Sequence, residues 1–127
     1  MHRIPSTFVV LALLSPIAAS AEQVLPADVL AFTLERESCD HWRGETPYDS
    51  EREIEINAGI CGSCIGTDEK LDALKAKYKQ RSNVVTALNE FEPKIEALKG
   101  ARAAKFCKAA YKKYFELQEK YKSKEAQ

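Results

Sequence analysis

The chain has 127 residues, 45% of them hydrophobic and 30% charged, and its 19 basic and 19 acidic residues give a formal net charge of zero. This length is enough for one domain with its own core, and no internal repeat or low-complexity segment is present, which excludes a repeat array. The lysines are dispersed at helical spacing without a recognised binding motif, so we expect no nucleic-acid partner.

Residues 1–21 show the features of a secretory signal peptide in the usual order. A basic start precedes the apolar run 8–14, which is too short to span a bilayer as a mature helix, and Ala-Ser-Ala at 19–21 supplies the cleavage motif. No cysteine follows the apolar run closely, which disfavours a lipid anchor. We predict a protein of the periplasm, or a secreted one, whose mature part, residues 22–127, is a single disulfide-bonded helical domain.

Helix signals then follow one another along the chain, and β-hairpin signals are absent. The first helix begins near Pro26, runs to about Trp42 and stops at Gly44. The second has Thr46 as its predicted N-cap, with a proline next to it, and runs to about Cys61.

Thr67 is the predicted N-cap of a third helix, and either Ser82 or Asn83 caps a fourth. Pro93 should kink or break this fourth element, and Gly100 is expected to end it. Apolar residues recur at helical spacing through both helices: they are Leu71, Leu74, Tyr78, Val84, Leu88, Phe91, Ile95 and Leu98.

A fifth helix is predicted over residues 101–122. One face of it carries apolar residues at helical spacing: these are Ala103, Phe106, Cys107, Ala110, Tyr114, Leu117 and Tyr121.

The four cysteines, Cys39, Cys61, Cys64 and Cys107, allow three interpretations. Two disulfides are favoured, because an exported chain meets an oxidising compartment, and we expect Cys39 to pair with Cys61 or Cys64 and the other to pair with Cys107. The second is a redox pair at Cys61-Gly-Ser-Cys64, although it follows a predicted helix instead of beginning one. The third is a zinc site that adds His41 to the first three cysteines.

These signals together predict an all-α fold, a compact bundle of four to five helices stapled by two disulfides after a cleaved signal peptide. Covalent haem is excluded, because Ile65 stands where attachment to the Cys-x-x-Cys pair requires histidine.

The segment from Asp40 to Glu45 is the densest cluster of functional side chains, and Tyr48 follows it. One interpretation is structural, with a packed tryptophan and with caps and ion pairs at the corner between two helices. The other is a partner-binding surface, since Trp, Tyr and Arg dominate binding hot spots. Its candidate residues are His41, Trp42, Arg43, Glu45 and Tyr48.

Charge is distributed unevenly along the mature sequence. Residues 22–72 contain thirteen acidic and four basic residues, whereas residues 73–127 contain six acidic and fourteen basic ones. Either the two halves neutralise each other in the fold, or one of them offers a charged face to a partner.

The stretch Cys39–Tyr78 resembles a family of small exported bacterial lysozyme inhibitors. The resemblance lies in Cys39, Ile60-Cys61, Leu71-Asp72-Ala73-Leu74 and Tyr78, while Cys64 and Cys107 have no counterpart in the pattern. It implies a helical, disulfide-bonded periplasmic protein that binds and blocks a peptidoglycan-cleaving enzyme. It assigns no inhibitory residue to this chain.

We therefore expect a non-enzymatic exported protein that binds a protein partner, with a cell-wall hydrolase inhibitor or immunity factor as the narrower hypothesis. A catalytic role for His41 is disfavoured because no recognisable nucleophile accompanies it, and Ser63 lacks an elbow motif. The alternatives are a structural or accessory envelope protein and a metal or redox protein built on the cysteines. The leading hypothesis requires no cofactor, no metal and no membrane anchor after cleavage.

Overall fold

The computed structural model describes residues 24–127, and the predicted signal peptide lies outside them. Within this range the chain folds into five α-helices: α1 (Ala27–Gly44), α2 (Ser50–Ser63), α3 (Thr67–Lys77), α4 (Ser82–Asn89) and α5 (Gly100–Glu125). The described residues contain no strand, and none of these helices is long and apolar enough to cross a membrane. The predicted all-α fold class is confirmed.

A hydrophobic core joins the first half of α1 to α3 and α4. Its fully buried members come from the predicted apolar faces, and Phe32 of α1 meets Phe91 edge-to-face with ring centroids 5.2 Å apart. Burial of these side chains is the main force that holds the short helix α4 in place, because an isolated helix of eight residues is unstable in water. The buried members are Val29, Phe32, Leu71, Val84 and Leu88.

The second half of α1 packs on α2, and α2 packs in turn on α5. α2 runs antiparallel to both neighbours. Cys39 of α1 is bridged to Cys64 just after α2, Glu45 just after α1 pairs with Arg52 near the start of α2, and the end of α5 meets Glu51 at the start of α2. α2 thus presents one surface to α1 and another to α5.

Two disulfides fix this arrangement at the C-terminal end of α2. Cys39 is bridged to Cys64 and Cys61 to Cys107, which leaves no free cysteine in the described residues. The predicted pairing is confirmed, and of its two alternatives the structure selects Cys39 with Cys64. Bridges that close loops with sequence separations of 25 and 46 residues contribute about 3–4 kcal/mol each in the chain-entropy estimate.

A buried ion pair between Arg36 and Asp68 ties α1 to α3. The side chains are 1% exposed, and the guanidinium and carboxylate are 3.2 Å apart. Arg36 also donates to the Thr67 hydroxyl at 3.3 Å and to the backbone carbonyl of Glu92 at 2.8 Å. Each of the three guanidinium nitrogens therefore donates to an acceptor, which offsets the cost of burying the charge.

The Asp68 carboxylate anchors the loop of residues 90–99, which we call the 90–99 loop. It accepts hydrogen bonds from the backbone N–H groups of Ile95 at 3.0 Å and Glu96 at 3.3 Å, and it pairs with Lys99 at 3.2 Å. Burial alone would raise the pKa of Asp68, but these donors outweigh it and hold the pKa below the ordinary value.

Several predicted helix ends are wrong. Thr46 does not cap α2, because residues 45–49 form the connection that turns the chain back along α1. Asp49 is the N-cap instead, and its side chain accepts a hydrogen bond from the Arg52 N–H at 2.8 Å. Thr67 is buried and lies inside α3 after the left-handed Gly66, whose φ is 84°. Gly100 begins α5 instead of ending α4.

Two further corrections concern α4. No side chain caps its start, where Ser82 is already the first helical residue, so neither predicted cap forms. The break near Pro93 is confirmed but falls earlier, because α4 ends at Asn89 and the following backbone bonds to Arg36 and Asp68 instead of continuing the helix.

Candidate functional site

The five predicted interaction residues do not share one surface. His41, Trp42 and Arg43 are consecutive in the last turn of α1, where neighbouring side chains point about 100° apart, and Glu45 follows the helix end. Tyr48 lies in the connection to α2 and is 82% exposed. Arg43 lies in an ion-paired corner and Trp42 in a cleft, and Tyr48 belongs to neither.

Arg43 belongs to the corner. It donates to Asp40 and to the Glu92 carboxylate, both at 2.8 Å, and these hydrogen bonds raise its pKa. His41 lies 3.4 Å from Glu45 with 60% of its side chain exposed. Arg43 thus attaches the 90–99 loop to the end of α1, as the structural interpretation of ion pairs at a helix corner predicts.

Trp42 turns the other way and packs on α2. Its indole lies over Gly59 so closely that a Cβ added at Gly59 would stand 2.2 Å from the ring atom Cδ2. The Arg52 guanidinium covers the ring 5.3 Å from its centroid, and the His41 ring meets it edge-on at 5.1 Å. Only glycine at position 59 permits this approach.

Together with α5, these groups form a cleft of about 350 Å³, which we call the Trp42 cleft. Trp42 comes from α1, four residues come from α2 at positions that share one helix face, and two tyrosines come from α5. The tryptophan and both tyrosines are half-buried. The lining residues are Trp42, Arg52, Glu55, Ala58, Gly59, Tyr111 and Tyr114.

Arg52 is the charged centre of this cleft and is held in place by two carboxylates. It lies 2.9 Å from Glu55 and 3.0 Å from Glu45, and these hydrogen bonds raise its pKa. The guanidinium is therefore a fixed cation against the indole face, where the ring quadrupole adds to the attraction. The cleft combines rigid aromatic walls with a positioned ion pair.

A slightly larger groove of about 390 Å³ runs beside the Cys61–Cys107 bridge. It is lined by Glu69, Glu96 and Lys99 and by small residues of α5, and it contains no aromatic side chain. The Trp42 cleft is the better candidate for recognition, because large amphipathic rings supply most of the energy in binding sites.

The disulfides remove the thiols on which both cysteine alternatives depend. Cys61 and Cys64 are bridged to different partners, so they are not a redox pair, and the three cysteines of the hypothetical zinc site are all oxidised. Within residues 24–127 no three His, Cys, Asp or Glu side chains converge to hold a metal ion.

Sequence reasoning found Trp42 but missed its surroundings. The sequence pattern assigns Arg52, Glu55 and Tyr111 to no site. The available signal was Gly59, since a glycine in the interior of a helix often marks a close approach. Tyr111 and Tyr114 carry no such signal, because only the fold brings α5 alongside α2.

Comparison with known proteins identifies no relative: no protein-family model, no curated protein and no solved structure matches this chain.

Proposed function

We propose that this chain is a non-enzymatic, exported helical protein of the bacterial envelope that binds a partner protein through the Trp42 cleft. The observation that carries the proposal is the convergence of Trp42, Tyr111, Tyr114 and Arg52 in one concave site. Trp, Tyr and Arg are the side chains that most often dominate binding energy. The two disulfides support export, because such bridges persist in oxidising compartments.

Preorganisation favours this cleft over the exposed loop around Tyr48. The indole is fixed on Gly59 and the Arg52 guanidinium between two carboxylates, so a partner would order few side chains on binding. Each immobilised, rotamer-rich side chain costs about 0.5–1.5 kcal/mol on association, and a preformed site avoids that cost.

The narrower proposal is that the partner is a peptidoglycan-cleaving enzyme. It comes from the resemblance to exported lysozyme inhibitors, and two of the residues that carry this resemblance have folding roles here. Leu71 is fully buried in the core, and the Tyr78 hydroxyl donates to Asp28 at 2.8 Å. These two side chains are therefore committed to the fold, and the Trp42 cleft is the surface better suited to contact with the enzyme.

Binding and inhibition are tested together with the exported, oxidised protein. We expect it to bind lysozyme in titration calorimetry and to slow lysis of bacterial cell walls. Trp42→Ala and Tyr111→Ala should each weaken binding by about tenfold or more while leaving helical circular dichroism intact. Leu34→Ala is the control, because Leu34 is 69% exposed on α1, eight residues before Trp42.

Two results would contradict these proposals separately. Absence of both binding and inhibition, repeated with other peptidoglycan-cleaving enzymes, would exclude the hydrolase and favour an accessory envelope protein. Binding that survives Trp42→Ala and Tyr111→Ala but fails in Tyr48→Ala would remove the cleft from the interface.

A further inference from the structure

One face of α5 carries an exposed stripe of lysine and aromatic residues. Lys108, Tyr111, Lys112 and Phe115 follow the spacing i, i+3, i+4 and i+7, and Lys105 extends the same face by one turn. The lysines are exposed, Tyr111 is half-buried and Phe115 is 62% exposed. We call these five residues the α5 stripe.

The charge of this stripe is not neutralised by the rest of the fold. Other lysines of the basic half pair with the acidic half, as Lys77 does with Asp28 at 2.6 Å and Lys120 with Glu51 at 2.5 Å. Residues 102–115, in contrast, include five basic and no acidic residues. Within the described residues, the stripe makes one ion pair, between Lys112 and Glu116 at 4.0 Å, a separation at the limit of such contacts.

The stripe is continuous with the Trp42 cleft. Tyr111 lines that cleft and also lies 6.4 Å, centroid to centroid, from the Phe115 ring, which is 5.8 Å from Tyr114. An exposed phenylalanine beside two tyrosines extends the aromatic surface of the cleft outward among the lysines. An occupant of the cleft would thus contact positive charge and an apolar ring together.

We propose that the α5 stripe binds an acidic segment of the partner protein that carries an aromatic side chain. The inference rests on the proposed function and specifies the chemistry of its partner: carboxylates meet Lys105, Lys108 and Lys112, and the aromatic side chain packs on Phe115. Complementary charge of this kind sets specificity and the rate of association.

The shape of the surface favours a protein over a lipid bilayer. A helix that lies on a membrane buries a broad apolar face, whereas the α5 stripe has one large exposed apolar side chain, Phe115. Its neighbour is a concave cleft, which receives a protruding side chain better than a flat lipid surface does.

The test uses the full exported protein and a random copolymer of glutamate and tyrosine. Binding is measured by titration calorimetry against poly-glutamate of equal length, anionic phosphatidylglycerol vesicles and a single-stranded thymidine oligonucleotide. We expect the copolymer to bind more tightly than the other three ligands, and we expect its binding to weaken as the salt concentration rises. Lys108→Glu with Lys112→Glu should weaken copolymer binding at least tenfold, and Phe115→Ala should abolish the advantage of the copolymer over poly-glutamate.

The matched control reverses the same amount of charge on the same helix. The control variant is Lys122→Glu with Lys124→Glu. Both positions lie at least ten residues, about 15 Å along the helix, from Lys112, so this variant should change copolymer binding less than twofold. The inference would be overturned if both double variants lost copolymer binding equally, or if Phe115→Ala kept the preference for the copolymer over poly-glutamate. Tighter binding of the vesicles or the oligonucleotide than of the copolymer would also overturn it. No hydrolase enters this measurement, so its failure is distinguishable from failure of the proposed function.

Discussion

Substitution of Gly59 by alanine tests whether Trp42 is seated on α2. In an ordinary helix interior this change stabilises by about 1 kcal/mol, because alanine has the higher helix propensity. Here the new Cβ would stand within 2.5 Å of three indole atoms, including Cγ, the atom that joins the ring to the rest of the side chain, so the ring as a whole must leave its site.

The expected magnitude follows from the two opposing effects. Forcing a side chain from a packed site costs about 1–3 kcal/mol, and a displaced tryptophan also loses part of its buried area. We expect Gly59→Ala to lower the free energy of unfolding by about 1–2 kcal/mol. Gly62→Ala is the matched control in the same helix, since its Cβ would meet only the Tyr111 hydroxyl at an ordinary 3.6 Å. It should be neutral or stabilising by up to about 1 kcal/mol.

Urea unfolding followed by fluorescence suits this comparison, because Trp42 is the only tryptophan in the chain. The native emission of Gly59→Ala should shift to longer wavelength, and that of Gly62→Ala should not. Adding Gly59→Ala to a Trp42→Ala background should stabilise, because the clash is gone. A Gly59→Ala protein as stable as Gly62→Ala, with unchanged emission, would refute the packing of Trp42 on Gly59.

Three further predictions concern the scaffold. Arg36→Met should cost about 3–5 kcal/mol in urea unfolding, because it breaks a buried ion pair. Adding Asp68→Leu should recover little of that loss, because the Asp68 carboxylate also accepts from the backbone N–H groups of Ile95 and Glu96. The lowered pKa of Asp68 also predicts acid sensitivity. The ionised carboxylate stabilises the fold fully above its ordinary pKa of 3.8, and this stabilisation disappears as the pH falls through the lower pKa of the folded state. A series of unfolding free energies measured at different pH values tests this. Replacing Cys39 and Cys64 by alanine should lower the free energy of unfolding by about 3–4 kcal/mol, measured against the wild-type protein.

Helix content and the presence of two disulfides could be predicted because both leave local patterns in the sequence. The apolar spacing of Leu71, Val84 and Leu88 identified core faces, and four cysteines after a predicted signal peptide indicated two bridges. The choice between Cys61 and Cys64 as the partner of Cys39 could not be predicted, because it depends on how far α2 is rotated against α1.

The 90–99 loop marks the limit of pattern reasoning. Ile95 and Leu98 continue the helical spacing of α4, yet they lie in an irregular segment whose backbone is bound by the side chains of Arg36 and Asp68. The burial of these two residues could not be predicted from the sequence. Charged side chains are rarely buried, and Arg36 and Asp68 are 32 residues apart in the chain. Tertiary hydrogen bonds here replace the helix that periodicity alone predicts.

The two bridges also bear on the proposed function, because both of them hold α2 beside the Trp42 cleft. Cys64 fixes α2 to the helix that carries Trp42, and Cys61 fixes it to the helix that carries Tyr111 and Tyr114. The width of the cleft is therefore set covalently at one end, so its aromatic walls are positioned before a partner arrives. Reduction of the bridges under conditions that preserve helical circular dichroism should weaken partner binding. The side chains of a loosened cleft would have to become ordered on binding, and this loss of conformational entropy opposes association. Binding that is equally tight before and after reduction would assign the bridges to stability alone.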